Sequence, residues 1–154
     1  MGGPSPGADA LSHAGPVFRA VFRGADPLAP AGREGRFHRA GQFAIYTSLS
    51  PEGCAVAIRR YLRPDDPPRE IVPLWLDPAP LADRRGQGAA SVVWQDIRAG
   101  GEPSPTWAFS DAARAAGAGG MLYSSRSRPD LTHLVVFCPG LLRQTGAVLP
   151  FPAP

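Results

Sequence analysis

Residues 42–64 of the chain, QFAIYTSLSPEGCAVAIRRYLRP, hold a strand pattern followed at once by a helix start. The apolar segment Gln42–Leu49 predicts a strand, because it is rich in β-branched and aromatic side chains. Ser50 can accept a hydrogen bond from the free amides of the next turn. Pro51 suits the first helical position, and Glu52 complements the positive end of the helix dipole. A strand and a helix joined this closely predict a domain that mixes the two.

The predicted helix carries one apolar stripe and ends at Pro64. Its apolar residues recur at the spacing that places side chains on a single helix face. They are Cys54, Ala57, Ile58, Tyr61 and Leu62. Ala57 is therefore expected to point into the protein, toward the core or toward a cleft. Arg59, Arg60 and Arg63 occupy the last turns, where positive charge is favourable.

The remaining elements follow one another in an irregular order. Further strands are predicted at Pro16–Arg23, Arg69–Asp77, Met121–Ser124 and Leu131–Cys138, and further helices at Ala90–Arg98 and Ser104–Ala116. Pro73 indicates a sheet edge or a bulge, because proline lacks a backbone donor. This order predicts an α+β fold, a compact mixed-strand sheet with short helices.

Length and composition predict one folded domain between two ends rich in glycine and proline. A chain of 154 residues that is 44% hydrophobic is long enough for one core. The 18 glycines and 19 prolines are concentrated at the ends and in connections. We therefore predict a flexible N-terminal tail over 1–15, a domain over 16–138 and a Pro/Gly-rich C-terminal tail over 139–154. Either tail can in part dock as an arm.

The charge distribution argues against nucleic acid as a direct partner. There are 16 basic and 13 acidic residues, giving a net charge of +3. The basic residues are all arginines, and they are scattered instead of forming a patch or stripe. No apolar run is long enough for a membrane span and no signal peptide pattern opens the chain. A cytoplasmic protein without a membrane partner is therefore expected.

The common catalytic and metal-binding motifs are missing from the sequence. It has no GxxxxGK[ST], no GxGxxG after a strand, no HExxH and no GxSxG. Cys54 and Cys138 lie in apolar runs and have no metal-type spacing. Both are expected to be free and buried, and no metal is expected. His13, His38 and His133 are interpreted as structural or exposed. A serine hydrolase or a metalloenzyme therefore has little support.

Four polar residues stand unusually among or beside the apolar strands. They are Arg19 in PVFRAVFR, Arg36 in EGRFH, Tyr46 in AIYTSLS and Ser125 in GGMLYSSR. Taken singly, they are explained as an edge arginine, a loop arginine, a packed tyrosine and a strand-end hydroxyl. In this order they resemble the RES-domain family, which is named for a characteristic Arg, Glu and Ser.

Several segments carry the resemblance in turn. They are Phe18-Arg19, Gly35-Arg36-Phe37, Gly41, Tyr46 with the following TSLSPEG turn, Gly120–Arg126 and the apolar strand HLVVF. Each is weak alone, but their order and spacing are specific. The resemblance extends from about Phe18 to Cys138, with Ser125 as the better match to the family serine.

The resemblance implies an ADP-ribosyltransferase-like RES fold and a toxin of a bacterial toxin–antitoxin pair. Such a toxin binds and degrades NAD+ by cleaving the nicotinamide–ribose bond. Arg19 and Arg36 are then expected to bind the pyrophosphate of NAD, which is the substrate. Tyr46 is expected to form an aromatic wall and Ser125 to orient the ribose or the amide, as the catalytic residues. The implied partner is a cognate antitoxin with a helix-turn-helix domain.

One position departs from the RES pattern, because the register places the family glutamate at Ala57. Glu52 lies five residues earlier, about 140° around the helix, and is explained by the helix start. Glu34, Glu70 and Asp96 are other candidate carboxylates that the sequence does not rank. Two functions therefore stand. One is degradation of NAD, and the other is a catalytically impaired RES-like module that binds NAD, another nucleotide or the antitoxin.

Overall fold

The structure is a computed structural model that describes residues 11–151. Within these residues the strands are β1 (Leu11–Phe22), β2 (Ile45–Ser48), β3 (Arg69–Arg84), β4 (Gly120–Ser124), β5 (Thr132–Val136), β6 (Leu142–Gln144) and β7 (Leu149–Pro150). The helices are α1 (Pro51–Ile58), α2 (Trp94–Ala99) and α3 (Trp107–Ala115), and 3-10 turns cover Arg59–Tyr61 and Gly88–Ser91. The predicted α+β fold, a mixed sheet with short helices, is confirmed.

Five of the strands pair in a closed ring. β1 pairs with β2 and β3, β2 with β5, β5 with β4, and β4 pairs back with β3. The β3–β4 pair is parallel and the others are antiparallel. β6 and β7 pair with the N-terminal half of β3, outside the ring. β5 lies between β2 and β4, so the start of β5 is paired with the end of β2 on one side and the end of β4 on the other, although β2 lies far from both in sequence.

Two apolar clusters pack against the two faces of the ring strands. Successive side chains of a strand point to opposite faces, so Leu122 and Leu134 belong to one cluster and Met121 and Val135 to the other. The first cluster is built from ring strands and Leu142 of β6, and it includes the fully buried Leu74. The second takes in residues of α3 and of the segment before β2. This second cluster connects α3 to the strands that carry the cavity described below.

The start of α1 is confirmed, whereas its predicted apolar stripe is buried only in part. The Ser50 hydroxyl accepts from the Gly53 amide at 3.1 Å. The residues of α1 that are buried are Gly53, Cys54 and Val56. Ala57 is exposed, and Tyr61 is 49% exposed. The predicted stripe fails after Cys54 because the second half of the helix faces a cavity and not the apolar core.

β3 continues well beyond its predicted end at Asp77. Pro78 and Pro80 are exposed while Ala79 and Leu81 are buried, so strand alternation persists with the proline rings outward. The register with β1 shifts between His13 and Gly15, which marks a β-bulge. Pro73 lies in the short gap between the β6 and β7 pairings, where a missing backbone donor is tolerated.

Both ends of the chain contribute strands where tails were expected. Residues 11–15 form the first part of β1, and β6 and β7 lie within 139–154. Residues 1–10 and 152–154 of the predicted tails lie outside the described residues. Their glycine- and proline-rich composition predicted tails, whereas pairing with the long β3 decides their structure.

The two later helices are shorter than predicted. The helix expected at Ala90–Arg98 is split into a 3-10 turn and α2, because Val93 has a non-helical backbone with ψ of 89°. α3 begins at Trp107 instead of Ser104, whose hydroxyl lies 2.5 Å from that of Thr106. Gly117 ends α3 with a φ of +82°, as its position predicted. Within residues 11–151, no helix has the length and apolar character needed to cross a membrane.

Candidate functional site

A cavity of about 550 Å³ lies where the C-terminal end of α1 meets the end of β4 and the start of β5. Residues 56–61 line one part of it and residues 123–127 another. The remaining lining residues are Gly35, Arg36, Tyr46, Trp94 and His133. Ligand pockets typically measure roughly 300–1,000 Å³, so this cavity can take a cofactor-sized molecule.

Three of the four predicted site residues line this cavity. Arg36, Tyr46 and Ser125 are brought together from three separate segments of the chain. Arg19 is not among the lining residues. Its guanidinium donates instead to the carbonyls of Pro27 and Ala29, at 2.8 and 2.6 Å. Arg19 therefore holds the loop after β1, and the expectation that it reaches the same cleft is corrected.

The Tyr46 hydroxyl is engaged by protein groups. It accepts from the Phe37 amide at 2.9 Å and lies 2.7 Å from Nδ1 of His38. Nε2 of His38 lies 2.8 Å from the Gly32 carbonyl, which can only accept. In the uncharged imidazole Nε2 therefore carries the proton, and the Tyr46 hydroxyl donates to Nδ1. A side chain at Gly35 would lie 2.7 Å from the same hydroxyl, which explains the glycine there.

The segment that carries Arg36 is fixed by side chains of α3 and its N-cap. The Trp107 indole donates to the Gly35 carbonyl at 2.8 Å, and Arg114 donates to the Phe37 carbonyl at 2.8 Å. The Thr106 hydroxyl donates to the carbonyl of Arg36. These bonds hold the backbone of this segment against the start of α3. The Arg36 side chain therefore extends from an anchored backbone into the cavity.

The Arg36 guanidinium links the segment before β2 to the chain just before α2. Nη1 donates to the carbonyls of Val92 and Ala90, at 2.8 and 3.3 Å. Burial lowers the pKa of Arg36, and the nearby positive charge of Arg126 lowers it further. Both effects disfavour a charged group, although an arginine keeps its charge at any ordinary pH. An anion at this point would be stabilised by both guanidinium groups.

Ser125 is buried at the turn that follows β4. Its hydroxyl accepts from the Arg128 amide at 3.2 Å, and its own amide donates to the Leu131 carbonyl at 3.0 Å. The neighbouring Ser124 hydroxyl accepts from the Gly86 amide at 2.9 Å. A serine hydroxyl that accepts one bond can still donate its proton to a ligand. Both serines line the cavity.

His133 is a buried polar residue of the site that the sequence interpretation missed. Nδ1 of His133 lies 2.6 Å from the Ser48 hydroxyl, and its ring centroid is 5.3 Å from that of Tyr123. Burial, with a smaller contribution from Arg36, lowers the pKa of His133 to about 4. The cavity therefore has a neutral imidazole beside an arginine at neutral pH.

All charged side chains that line the cavity are arginines. They are Arg36, Arg59, Arg60 and Arg126. The walls between them are aromatic, from Tyr46, Tyr61, Trp94 and Tyr123. In the described part of the chain, no group of three His, Cys, Asp or Glu residues is arranged to hold a metal ion. The cavity thus suits an anionic ligand with flat rings.

Comparison with known proteins agrees with the fold and the order of the motifs. The family model of the RES domain matches residues 10–152. This chain belongs to the RES-domain family. Sequence comparison with curated proteins finds no match. Among solved structures, the crystal structure of the M. tuberculosis MbcT–MbcA toxin–antitoxin complex contains a similar chain, with a TM-score of 0.67 and 18% identity. The match covers 92% of this chain and 87% of the other, and it supports the fold.

No carboxylate lines the cavity in residues 11–151 of this RES-domain protein. Ala57, at the position assigned to the family glutamate, lines it and is exposed. The other candidates lie elsewhere. The three glutamates form ion pairs with arginines outside the cavity lining: Glu34 with Arg98 at 3.0 Å, Glu52 with Arg128 at 3.1 Å and Glu70 with Arg23 at 3.2 Å. Asp96 is exposed on α2 and does not line the cavity. The expectation that one of them could serve as the missing carboxylate therefore has no support from the geometry.

Sequence reasoning missed several of the residues that line the cavity. Arg59 and Arg60 were assigned to the helix end, where positive charge has a structural explanation. Trp94 lay within the helix predicted at Ala90–Arg98 and was given no role, and His133 was interpreted as structural or exposed. The available signal was the Arg-Arg-Tyr sequence directly after a helix that starts beside Tyr46. That sequence alone does not indicate a site, because only the pairing of the strands brings it close to the other lining residues.

Proposed function

We propose that this chain is the toxin of a bacterial toxin–antitoxin pair and that it binds NAD+ in this cavity and cleaves the nicotinamide–ribose bond. The observation that carries the proposal is the lining, in which every charged side chain is an arginine and the walls are aromatic. A dinucleotide matches this lining, because it has an anionic pyrophosphate between two flat rings. The RES-family match over residues 10–152 supports the same substrate.

In this proposal Arg36 and Arg126 bind the pyrophosphate. Arginine presents a planar fork of donors that matches two phosphate oxygens at once. Arg36 uses Nη1 for the carbonyls of Ala90 and Val92. Its other nitrogens keep donors for a ligand. The positive charge of Arg126 adds to burial in lowering the pKa of Arg36, so an anion bound beside Arg36 offsets a repulsion that exists in the free protein.

The aromatic residues provide stacking surfaces for the rings of the substrate. Base–aromatic stacking contributes about 1–3 kcal/mol per base. Trp94 and Tyr61 are only partly buried, so they remain accessible to a ligand. Tyr46 contributes its ring, while its hydroxyl holds the Arg36 segment. Ser125 retains a hydroxyl proton that can orient the ribose or the carboxamide.

The proposed reaction breaks the bond between C1′ of the ribose and the nicotinamide nitrogen. The electron pair of this bond stays on the nitrogen, and the ribose is left as an oxocarbenium-like cation. An oxygen nucleophile then adds to C1′ and loses its proton. A nearby carboxylate stabilises such a cation, and loss of one charge-stabilising group costs about 10²–10³ in rate. Because the cavity lining has no carboxylate in the described residues, we expect slow turnover.

The same observation favours a second candidate function. With arginines and no carboxylate around the reacting ribose, the developing cation is opposed by positive charge. The protein would then bind NAD or another nucleotide, or serve as the target of its antitoxin, without turnover. The two candidates share the ligand and differ only in the bond-breaking step.

The proposed partner is a cognate antitoxin with a helix-turn-helix domain that covers the cavity. The structural neighbour in the MbcT–MbcA complex, which is titled a toxin–antitoxin complex, supports this partner class. A cytoplasmic location follows from the substrate, since NAD is a cytoplasmic metabolite. In this pair the antitoxin would contact DNA and this chain would not.

Two assays on the purified protein test the proposal. Calorimetric titration with NAD+ measures binding, and release of free nicotinamide measures cleavage. Binding with slow release supports the primary proposal, and binding with no release above a protein-free control selects the second candidate. Absence of binding contradicts both. Expression in bacteria, with and without the product of the adjacent reading frame, tests the toxin–antitoxin role.

A further inference from the structure

Most arginines in the described part of the chain are neutralised or satisfied by protein groups. Seven of them form ion pairs with carboxylates: Arg23, Arg39, Arg69, Arg85, Arg98, Arg128 and Arg143. Three others, Arg19, Arg36 and Arg114, donate to backbone carbonyls. Ten of the 16 arginines are therefore held by protein groups.

Arg59, Arg60 and Arg126 are distinguished by their place at the cavity, because the exposed Arg33 and Arg63 also form no ion pair among residues 11–151 but lie outside the lining. All three are exposed and line the cavity, and none has a carboxylate within ion-pair distance among residues 11–151. The contact found for Arg60 is with the Tyr61 ring, whose centroid lies 5.7 Å from the guanidinium carbon. Three unpaired cations at one cavity with no lining carboxylate represent more positive charge than a pyrophosphate needs.

The lining arginines come from two different walls. Arg36 and Arg126 both line the cavity, and they are close enough for the charge of Arg126 to lower the pKa of Arg36. Arg59 and Arg60 lie on the 3-10 turn after α1, next to Ala57. If the first two bind the pyrophosphate, the second two are left for another anionic group on the same ligand.

Building on the function proposed above, we propose that the cavity prefers a dinucleotide with a third phosphate, such as the 2′-phosphate of NADP+, and that Arg59 and Arg60 bind this phosphate. A phosphate monoester carries a charge of about −1.5 to −2 near neutral pH. Both Arg59 and Arg60 line the cavity, and the fork of donors on a guanidinium group matches phosphate oxygens. Both arginines are exposed, so little desolvation opposes their charge, and no carboxylate in the lining repels the phosphate.

The test compares ligands that differ only in the third phosphate. ADP-ribose and its 2′-phosphate are suitable probes for calorimetry, because neither has the nicotinamide bond that the protein would cleave. The 2′-phosphate is expected to bind at least about tenfold more tightly. NAD+ and NADP+ are titrated alongside, and the ratio of their affinities is expected to change in the same direction.

One double variant and one control variant assign the preference to its residues. The double substitution Arg59→Gln with Arg60→Gln should bring the affinity ratio close to one. Arg63→Gln removes a charge from an exposed arginine that follows the same turn but does not line the cavity. The ratio should persist in that variant. Thermal melts establish that each variant is folded.

The outcomes separate this inference from the function on which it rests. Equal binding of ADP-ribose and its 2′-phosphate overturns the inference and leaves NAD binding in place. If the double variant still binds the 2′-phosphate more tightly than ADP-ribose, the inference is also overturned, because other residues then bind the phosphate. If neither compound nor NAD+ binds to the folded wild-type protein, the proposed function itself is wrong.

Discussion

Ser48 and His133 are direct cross-strand partners in the β2–β5 pair, and their side chains meet with 2.6 Å between the hydroxyl oxygen and Nδ1. Both residues are nearly fully buried, at 1% and 5% exposure. The pair joins the two strands at the floor of the cavity. Because His133 lines the cavity and Ser48 does not, Ser48 acts by fixing the imidazole.

The first prediction concerns the pH dependence of stability. Burial lowers the pKa of His133 from 6.5 to about 4, so the unfolded chain binds this proton more readily than the folded protein. The unfolding free energy should therefore fall as the pH decreases from about 6.5 to about 4, by up to about 3 kcal/mol. Denaturant unfolding across this range measures the slope. His133→Gln keeps a polar partner for Ser48 and should remove this part of the slope.

If the slope is identical in His133→Gln and the wild type, the imidazole is not the group that titrates. Ser48→Ala gives a second check on the pair. It leaves the ring buried without its partner, which should cost about 1–3 kcal/mol at neutral pH. An unchanged stability in that variant would show that the hydroxyl contributes nothing.

Local rules predicted the elements whose signals lie within a few residues. Ser50 and Pro51 predicted the start of α1, and Gly117 predicted the end of α3, because capping depends on neighbours in sequence. The extension of β3 past Asp77 was missed because Pro78 and Pro80 argue against a strand locally. Their rings point outward, and pairing with the long β1 outweighs the local preference.

The site could be predicted only in part, for a related reason. Arg36, Tyr46 and Ser125 were assigned to one cleft from the family pattern, and they line one cavity. Arg19 was assigned to the same cleft, but its contacts with Pro27 and Ala29 depend on a loop that has no periodic signal. His133 was missed because only the β2–β5 register places it opposite Ser48.

The second prediction tests Arg36 as a phosphate-binding residue. Arg36→Ala removes a guanidinium that the carbonyls of Ala90 and Val92 hold in the cavity. NAD binding should weaken at least tenfold, which is about 1.4 kcal/mol in calorimetry. Arg23→Ala is the control, since Arg23 is 64% exposed and pairs with Glu70 away from the cavity lining. Equal affinity of the two variants would remove Arg36 from the site.

The third prediction separates the ring of Tyr46 from its hydroxyl. Tyr46→Phe leaves the Phe37 amide and Nδ1 of His38 without their partner, in a largely buried position. The unfolding free energy should fall by about 1–3 kcal/mol. Tyr61→Phe removes a hydroxyl that contacts Gln95 at an exposed position, so it should change stability by less than about 0.5 kcal/mol. Similar effects of both changes would contradict the bonding assigned to Tyr46.

The fourth prediction concerns the two thiols and corrects the expectation that both are buried. Cys54 is 4% exposed, and burial raises its pKa to about 12, whereas Cys138 is exposed. Thiol titration of the native protein should find one fast-reacting group and a second that reacts only after denaturation. Cys138→Ala should abolish the fast phase. A fast phase that persists in this variant would show that α1 opens to solvent.

The last prediction is that Ala57→Glu creates or accelerates NAD cleavage. Ala57 lines the cavity and is exposed, so a carboxylate there stays hydrated and avoids the cost of burying an unpaired charge. Arg60 lies one helical turn further on, at the spacing that favours an ion pair. The glutamate should therefore remain ionised and face the ribose of bound NAD. Nicotinamide release should increase by about 10²–10³, with little change in melting temperature.

Ala57→Gln is the matched control for this experiment, because it adds the same volume without the charge. If electrostatic stabilisation of the ribose cation is the missing contribution, only the glutamate variant gains activity. Equal rates in the two variants, with NAD still bound, would mean that position 57 does not face the reacting bond. A large fall in melting temperature in both would mean that the larger side chain does not fit. Activity gained by glutamate alone, in a protein of unchanged stability, requires both the cavity and the register of α1 to be as described.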